Sequence, residues 1–465
     1  MNKTEWQTTT ALMSWQIPVV EKLSPLRVGA IFLDMGLGKT RVAIELCCLR
    51  QHKMSHTVYV CPVSLKDTVC EEIYKHTTCT PDDVYVFNDT TSVKNVPVGK
   101  KWYILGTESL SASRRITNAF TAVINDTATL IVDESSYIRN HGSFRTERLS
   151  WIGWQAKYRL IMTGTPLANG IQNLYAQMRF LDPTILRYPS FYSFSRNHLV
   201  YSEKYPNMIT ETKNEEMIHQ RISPYMYQVT SESVLKLPEQ RYDTHYVTLT
   251  IEQRILYERA KEELLVNITV DAVVSSALLE VYSALQHIIC GFWNHKGKRI
   301  TVNHNRIKAL HTRIAAIPEE KKIIIWATYH HCINEIVSSL QTQYGYASVQ
   351  SFHGRLSETE RIAQLAQWRS KGRFLVATPA SGGYGLTLNE SHHTIFYNND
   401  FRYDTRIQAE KRNHRIGQEQ PVTYIDIIAR DSLDMYIHEA LSRKESVVDT
   451  FRRLTDLYQR GILIL

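Results

Sequence analysis

The stretch Val28-Gly29-Ala30-Ile31-Phe32-Leu33-Asp34-Met35-Gly36-Leu37-Gly38-Lys39-Thr40 decides how this chain is read. An apolar, β-rich run ends at Leu33, a glycine-rich turn follows, and helix-forming residues continue from Arg41 to Leu49. A strand, a glycine-rich turn and a helix N-terminus make a phosphate cradle, because backbone N–H groups converge on the anion and the helix dipole favours it. In that frame Met35, Gly36, Leu37 and Gly38 line the cradle. Lys39 neutralises the β- and γ-phosphates of ATP, and the Thr40 hydroxyl binds Mg²⁺. The usual G-x-x-x-x-G-K-[ST] pattern opens on Gly, and here Leu33 holds that place. A chance match in a loop would lack the strand before it and the helix after it.

The same alternation extends outward in both directions. Strand-like runs at Val28–Leu33, Thr57–Cys61, Trp102–Leu105, Thr129–Val132 and Leu160–Met162 form one region. Ile323–Ala327, Ser348–Phe352, Phe374–Ala377, Thr394–Tyr397 and Thr423–Ile427 form a second. Short strands separated by helices imply βαβ units and parallel sheets, with the loops after each strand along one edge. Between the regions the helical patterns Glu215–Tyr227, Ile251–Leu265 and Val273–Ile289 dominate. The expected organisation is α/β: a first domain over 1–185, a helical insertion over 186–300, a second domain over 301–440 and a terminal helical brace over 441–465.

A chain of 465 residues exceeds one ordinary core, which agrees with that division. Its 43% hydrophobic and 22% charged residues describe a folded globular protein rather than a disordered one. The net charge of +8 permits a polyanionic partner without requiring one. None of the seven cysteines forms a C-x-x-C pair, which argues against a zinc site, and Cys61 and Cys332 beside apolar stretches are expected core thiols. The N-terminus lacks the apolar core of a signal peptide, and no run is long enough to span a membrane. These features lead us to expect a soluble, cytoplasmic protein.

Two further constellations carry chemistry. Leu130-Ile131-Val132-Asp133-Glu134-Ser135-Ser136 is a strand ending in adjacent carboxylates. Downstream of a phosphate cradle, Asp133 is expected to hold Mg²⁺ and Glu134 to orient and deprotonate the attacking water. Gln408-Ala409-Glu410-Lys411-Arg412-Asn413-His414-Arg415-Ile416-Gly417-Gln418 sets two arginines three apart, which on a helix share one face. Standing alone this is a solvated basic helix. After the fifth strand of a second α/β domain, the arginines become candidates to stabilise charge on a transferring phosphoryl group.

In order and spacing these motifs resemble those of superfamily 2 helicases, and within them the Swi/Snf-type DNA translocases. Trp15-Gln16 resembles the adenine-reading Q motif, and Asp34–Thr40 resembles motif I. Val60–Leu65, Gly106–Leu110 and Asp133–Ser136 correspond to motifs Ia, Ib and II, and Met162-Thr163-Gly164-Thr165-Pro166 to motif III. Leu237-Pro238-Glu239 resembles the linker turn. Ile325–Ala327 sits at motif IV, Phe352-His353-Gly354 begins the next, Ala380–Leu386 resembles motif V, and Gln408–Gln418 matches motif VI best of all. The resemblance covers roughly residues 12–445. It implies two RecA-like domains in tandem, with ATP and Mg²⁺ in an interdomain cleft. Gln16, Gly385 and Gln408 then join the nucleotide contacts, and Arg412 and Arg415 act on it from the second domain.

The resemblance also implies phosphate contacts along one nucleic-acid strand from Ser64, Lys66, Thr107, Ser109, Thr165, Thr328, His353, Ser381 and Gly382. Hydroxyls and backbone N–H groups suit contacts that carry no sequence information. Arg355, Arg361, Arg369, Lys371 and Arg373 can extend such a track or serve as ordinary surface charges. Trp151 and Trp154, at helical spacing, are expected in the core rather than stacked on bases. Several positions depart from the family pattern: Ser135-Ser136 ends motif II, Val69 replaces a usual Trp and Thr387 a usual Asn. Phe401-Arg402-Tyr403 stands for Trp-Asn-Pro, Arg406 for Asp, and Tyr227–Thr230 for an Arg-Arg-x-x-Lys run. The short chain points to a minimal, bacterial- or phage-like member.

The reading that follows is a motor that hydrolyses ATP to move along double-stranded DNA, with single-stranded DNA or RNA as other possible tracks and no protein partner assigned. A strand-separating helicase is one rival. A non-hydrolysing DNA-binding scaffold is another, and it would not need Lys39, Glu134 or the paired arginines.

Overall fold

The computed structural model describes residues 5–164, 170–201, 209–265, 274–379 and 386–443. The chain divides into two compact units, the first running to Lys236 and the second starting at Leu237.

The strands of the first unit are β1 (Val28–Leu33), β2 (His56–Cys61), β3 (Val84–Val86), β4 (Trp102–Gly106), β5 (Ala128–Val132), β6 (Tyr158–Met162), β7 (Leu199–Tyr201), β8 (Ile209–Thr212) and β9 (Met226–Val229). Seven of them form a sheet in the order β3-β4-β2-β5-β6-β1-β9, and every pairing in it is parallel. β7 and β8 form a separate antiparallel pair. β1 is buried along its whole length, as expected for a strand covered by helices on both faces. Its side chains alternate: Val28, Ala30 and Phe32 join one core, and Ile31 and Leu33 join the core on the opposite face.

The second unit contains β10 (Gln240–Val247), β11 (Phe292–His295), β12 (Lys298–Thr301), β13 (Ile323–Trp326), β14 (Val349–Phe352), β15 (Phe374–Ala377), β16 (His393–Phe396) and β17 (Val422–Ala429). Six of these make a second all-parallel sheet, β10-β17-β16-β13-β15-β14, while β11 and β12 pair as a hairpin. Two parallel α/β sheets in tandem are thus the fold, and all ten strand-like runs named from the sequence fall on strands of these sheets.

Some expectations give way. Segment 186–300 is divided between the units: β9 extends the first sheet along β1, and β10 joins the second along β17. The helix expected over Glu215–Tyr227 stops at Ile222, because Pro224 lacks an N–H and the chain turns through Ser223–Tyr225 into β9. The helices Ile251–Leu265 and Val274–Ile289 are present. A helix over Leu433–Ser442 packs on the second core, and residues 444–465, most of the expected brace, lie outside the described residues. Cys61 and Cys332 are buried thiols, as their apolar neighbours suggest. Trp151 is not in the core. It is 68% exposed, because the helix Phe144–Gly153 turns Leu149 and Ile152 inward and leaves Trp151 on its outer side. Among the described residues, no helix is long and apolar enough to cross a membrane.

Candidate active site

The loop after β1 takes the cradle form because its glycines adopt conformations that other residues rarely do. Gly36 and Gly38 have φ of 85° and 79°, and the helix Lys39–Arg50 starts directly after Gly38. A Cβ on Gly38 would lie 2.3 Å from Gln16 Nε2. Gln16 is buried, and its amide donates to the Leu37 carbonyl at 2.9 Å while its oxygen accepts from the Met13 N–H at 2.9 Å. Trp15 Nε1 donates to the same Leu37 carbonyl at 3.2 Å. Gln16 therefore buttresses the loop that contains Leu37 and Gly38. Lys39 Nζ donates to the Leu33 carbonyl at 3.0 Å, which holds the ammonium over the loop.

β5 delivers the carboxylates to the same sheet edge. Asp133 is buried, and burial raises its carboxyl above the usual range while the Lys39 charge works in the opposite direction. It accepts a hydrogen bond from Tyr59 Oη at 3.0 Å and one from the Glu134 N–H at 2.8 Å. Thr40 lies beside Tyr59 and Lys39 beside Asp133, so Lys39, Thr40, Tyr59 and Asp133 form one cluster. Glu134 has φ of 48°, a left-handed backbone that aims its side chain away from β5. Its Oε1 accepts from Ser136 Oγ at 2.8 Å and from Thr163 Oγ1 at 3.2 Å. Ser135 Oγ donates to Gln177 Oε1 at 2.6 Å. The two serines that depart from the family pattern are thus both engaged, one on the candidate base and one on the neighbouring helix Gln172–Leu181.

The arginines of the second unit are placed differently from the expectation. The helix Tyr403–Glu410 ends before them, so Arg412 and Arg415 stand in a turn and share no helical face. The turn is built by buried amides. Gln418 Nε2 donates to the Asn413 carbonyl at 2.8 Å, and Asn413 Nδ2 donates to Thr394 Oγ1 at 3.0 Å. The Arg412 carbonyl accepts from the Leu388 N–H at 2.8 Å, and Gly417 has φ of 91°. Arg412 is buried, Arg415 Nη1 donates to the Leu386 carbonyl at 3.3 Å, and Gln408 is half-buried on the preceding helix. Arg406 is also buried. It meets Asp426 at 2.5 Å and Glu410 at 2.6 Å, so Asp426 on β17 answers the charge that has replaced the family's Asp.

Of the nucleic-acid positions, Ser64, Ser109, Thr328 and His353 are half-buried. Lys66 donates to the Phe87 carbonyl at 2.8 Å. Thr107 is corrected: it is fully buried and its N–H is bonded to the Cys61 carbonyl at 2.8 Å, so it is a core residue. Two members of the basic track have protein partners: Arg369 pairs with Glu390 at 2.9 Å, and Arg373 donates to the Ile317 carbonyl at 3.1 Å. Thr165, Ser381, Gly382 and Gly385 lie outside the described residues.

Sequence reasoning missed Tyr59, Gln177 and the anchor at Asp34. Asp34 Oδ2 accepts from the Ser231 N–H at 2.9 Å and the Asp34 N–H donates to the Val229 carbonyl at 3.0 Å, tying the cradle to the end of β9. Tyr59 carried a usable signal: a phenol inside a buried strand needs a polar partner, and Asp133 at the end of the adjacent strand is the natural one.

The SNF2-related domain model matches residues 17–292, and the helicase conserved C-terminal domain model matches residues 281–417. Chromodomain-helicase-DNA-binding protein 1-like of Danio rerio is 22% identical over 90% of this chain and 41% of that protein. An uncharacterized ATP-dependent helicase of Mycoplasma pneumoniae is 24% identical over 96% of this chain and 42% of that protein. The chain thus spans less than half the length of these relatives. The SWI2/SNF2 ATPase core of Sulfolobus solfataricus, solved in complex with double-stranded DNA, aligns over 99% of this chain and 98% of that one at 21% identity and a TM-score of 0.45.

Proposed function

The chain belongs to the SNF2-related family of ATP-dependent helicases, and we propose that it hydrolyses ATP to translocate along double-stranded DNA without separating the strands. The observation that carries the hydrolytic part of this reading is the division of labour between the two acids. Asp133 faces Lys39, whereas Glu134 is held apart by Ser136 and Thr163. Lys39 and the cradle N–H groups bind the phosphates. Thr40 and Asp133, with the Tyr59 hydroxyl beside them, are hard oxygen donors that suit Mg²⁺, which when bound neutralises phosphate charge. Glu134 orients the attacking water and takes its proton. Arg412 and Arg415 supply charge to the transition state. Ser64, Ser109, Thr328 and His353 contact strand phosphates, so movement is independent of sequence.

ATPase rates measured in parallel with duplex DNA, single-stranded DNA and RNA test the proposal. Duplex should stimulate most, with a stimulation that falls as salt rises through counterion release. A third strand bound in the major groove should be displaced while the underlying duplex stays paired. Stronger stimulation by single strands, together with unwinding of forked duplexes, would make the protein a strand-separating helicase.

A further inference from the structure

The outer face of the helix Phe144–Gly153 and its C-terminal turn carries an aromatic pocket outside the nucleotide cradle. The pocket has a volume of about 180 Å³. One wall is Trp151 and Trp154, whose rings meet edge to face at 5.2 Å. The facing wall is His141 stacked on Phe191, with ring centroids 3.7 Å apart and planes 18° from parallel. Glu147 and Arg179 supply polar groups to the lining. Arg179 lies 5.9 Å from the Trp154 ring centroid, and its Nη1 donates to Tyr175 Oη at 2.9 Å.

Two features identify the occupant. The surrounding surface pairs cations with exposed rings: Arg145 lies over Tyr137, Arg148 over Phe144 and Arg196 over Tyr192. Guanidinium groups interleaved with solvent-exposed aromatic rings suit a chain of phosphates and bases. The same helix also abuts the turn that bears Ser109. Arg148 Nη1 donates to the Leu110 carbonyl at 2.7 Å and Arg145 Nε to Ser111 Oγ at 3.1 Å. A strand bound at Ser109 would lie beside this face.

We propose that the pocket between the Trp151–Trp154 and His141–Phe191 walls accepts one unpaired nucleobase, a second DNA contact that holds extrahelical or locally single-stranded positions. The aromatic walls take the two faces of the base, and Glu147 and Arg179 offer an acceptor and a donor to its polar edge. The inference rests on DNA being the track.

The test is equilibrium binding without nucleotide, at fixed salt, to two duplexes that carry the same short bulge. In one the bulge has bases, and in the other it is abasic, so backbone length and phosphate charge are equal and the bases differ. Wild-type protein should bind the base-containing bulge roughly 10-fold tighter. Trp151→Ala should abolish the difference, and Trp151→Phe should keep most of it. Trp151 is exposed, so neither change threatens folding, and fully paired duplex should bind the variants as it binds wild type. Equal affinity of wild type for the two bulges, or discrimination that survives Trp151→Ala, would overturn the pocket. Absence of DNA-stimulated ATP hydrolysis in wild type would break the translocase reading instead, while the bulge comparison would still decide the pocket.

Discussion

Asp133 and Glu134 directly follow a buried parallel strand, and Lys39 and Thr40 open the helix after the loop that follows another, whereas Arg412 and Arg415 stand in a turn entered after a helix has ended. In the first unit, β1 and β5 fix where the loops begin, and three residues at positive φ, Gly36, Gly38 and Glu134, do the final aiming. In the second unit no regular element carries the arginines. Their turn is held by the side chains of Asn413 and Gln418, each bonded to neighbouring backbone or hydroxyl groups. Sheet edges place groups by backbone geometry, and such a turn places them by side-chain hydrogen bonds. A substitution that leaves the backbone alone should therefore damage the second arrangement more readily.

The largest effect should come from Arg415. If it supplies charge to the phosphoryl group, Arg415→Ala lowers kcat by about 10³-fold or more while ATP binding changes little. Arg415→Lys should rescue poorly, because a point charge lacks the planar fork. Steady-state kinetics showing full activity for the Lys variant would remove Arg415 from the chemistry.

Glu134→Gln comes next, with a loss in turnover of about 10²-fold or more and retained ATP binding, since the amide keeps the shape but accepts no proton. Near-normal turnover would mean that the sheet-edge acid is structural, and the comparison would then favour the arginines alone.

Gln418→Ala probes the turn itself. It removes the donor to the Asn413, Asn389 and Ser391 carbonyls. Leaving buried acceptors unpaired should destabilise the second unit by about 1–3 kcal/mol in denaturant unfolding. Turnover should fall as well, because the same turn carries Arg412 and Arg415. Stability loss with unchanged kcat would show that the arginines keep their places without it.

The contrast also explains what was legible in the sequence. The cradle and the acid pair lie where an apolar run meets polar residues, a pattern visible at short range, and the ten strand-like runs around them were visible for the same reason. β9 was not, because Met226-Tyr227-Gln228-Val229 lacks a continuous apolar run and gains its place by pairing with β1. The turn around Arg412 read as helix because its sequence is polar and helix-compatible. What ends the helix is tertiary, including the Leu388 N–H that takes the Arg412 carbonyl and the Asn413 amide that reaches Thr394. Thr107 and Trp151 failed in opposite directions. A threonine placed by motif resemblance proved buried, and a tryptophan at helical spacing proved exposed, because neither a motif match nor spacing along a helix reveals which side meets the core.

The smallest expected effect, and the finest test of the sheet-edge arrangement, concerns Ser136. Its hydroxyl donates to Glu134 Oε1 at 2.8 Å, and Thr163 Oγ1 donates to the same oxygen at 3.2 Å. One carboxylate oxygen is thus held by two donors, one from the acid motif and one from the end of β6. Ser136→Ala removes the shorter bond and leaves the longer one, so Glu134 should stay near its position but sample more orientations. A hydrogen bond to a charged group contributes about 1.5–3 kcal/mol at most, and the remaining partner should recover much of it. We expect kcat to fall only severalfold, with KM for ATP unchanged because Ser136 does not line the cradle. Thr163→Val should behave alike. The double variant should lose more than the product of the single losses, since only then is the oxygen without both donors. Strictly additive effects would mean that the two hydroxyls act separately, and that Glu134 is aimed by its left-handed backbone alone.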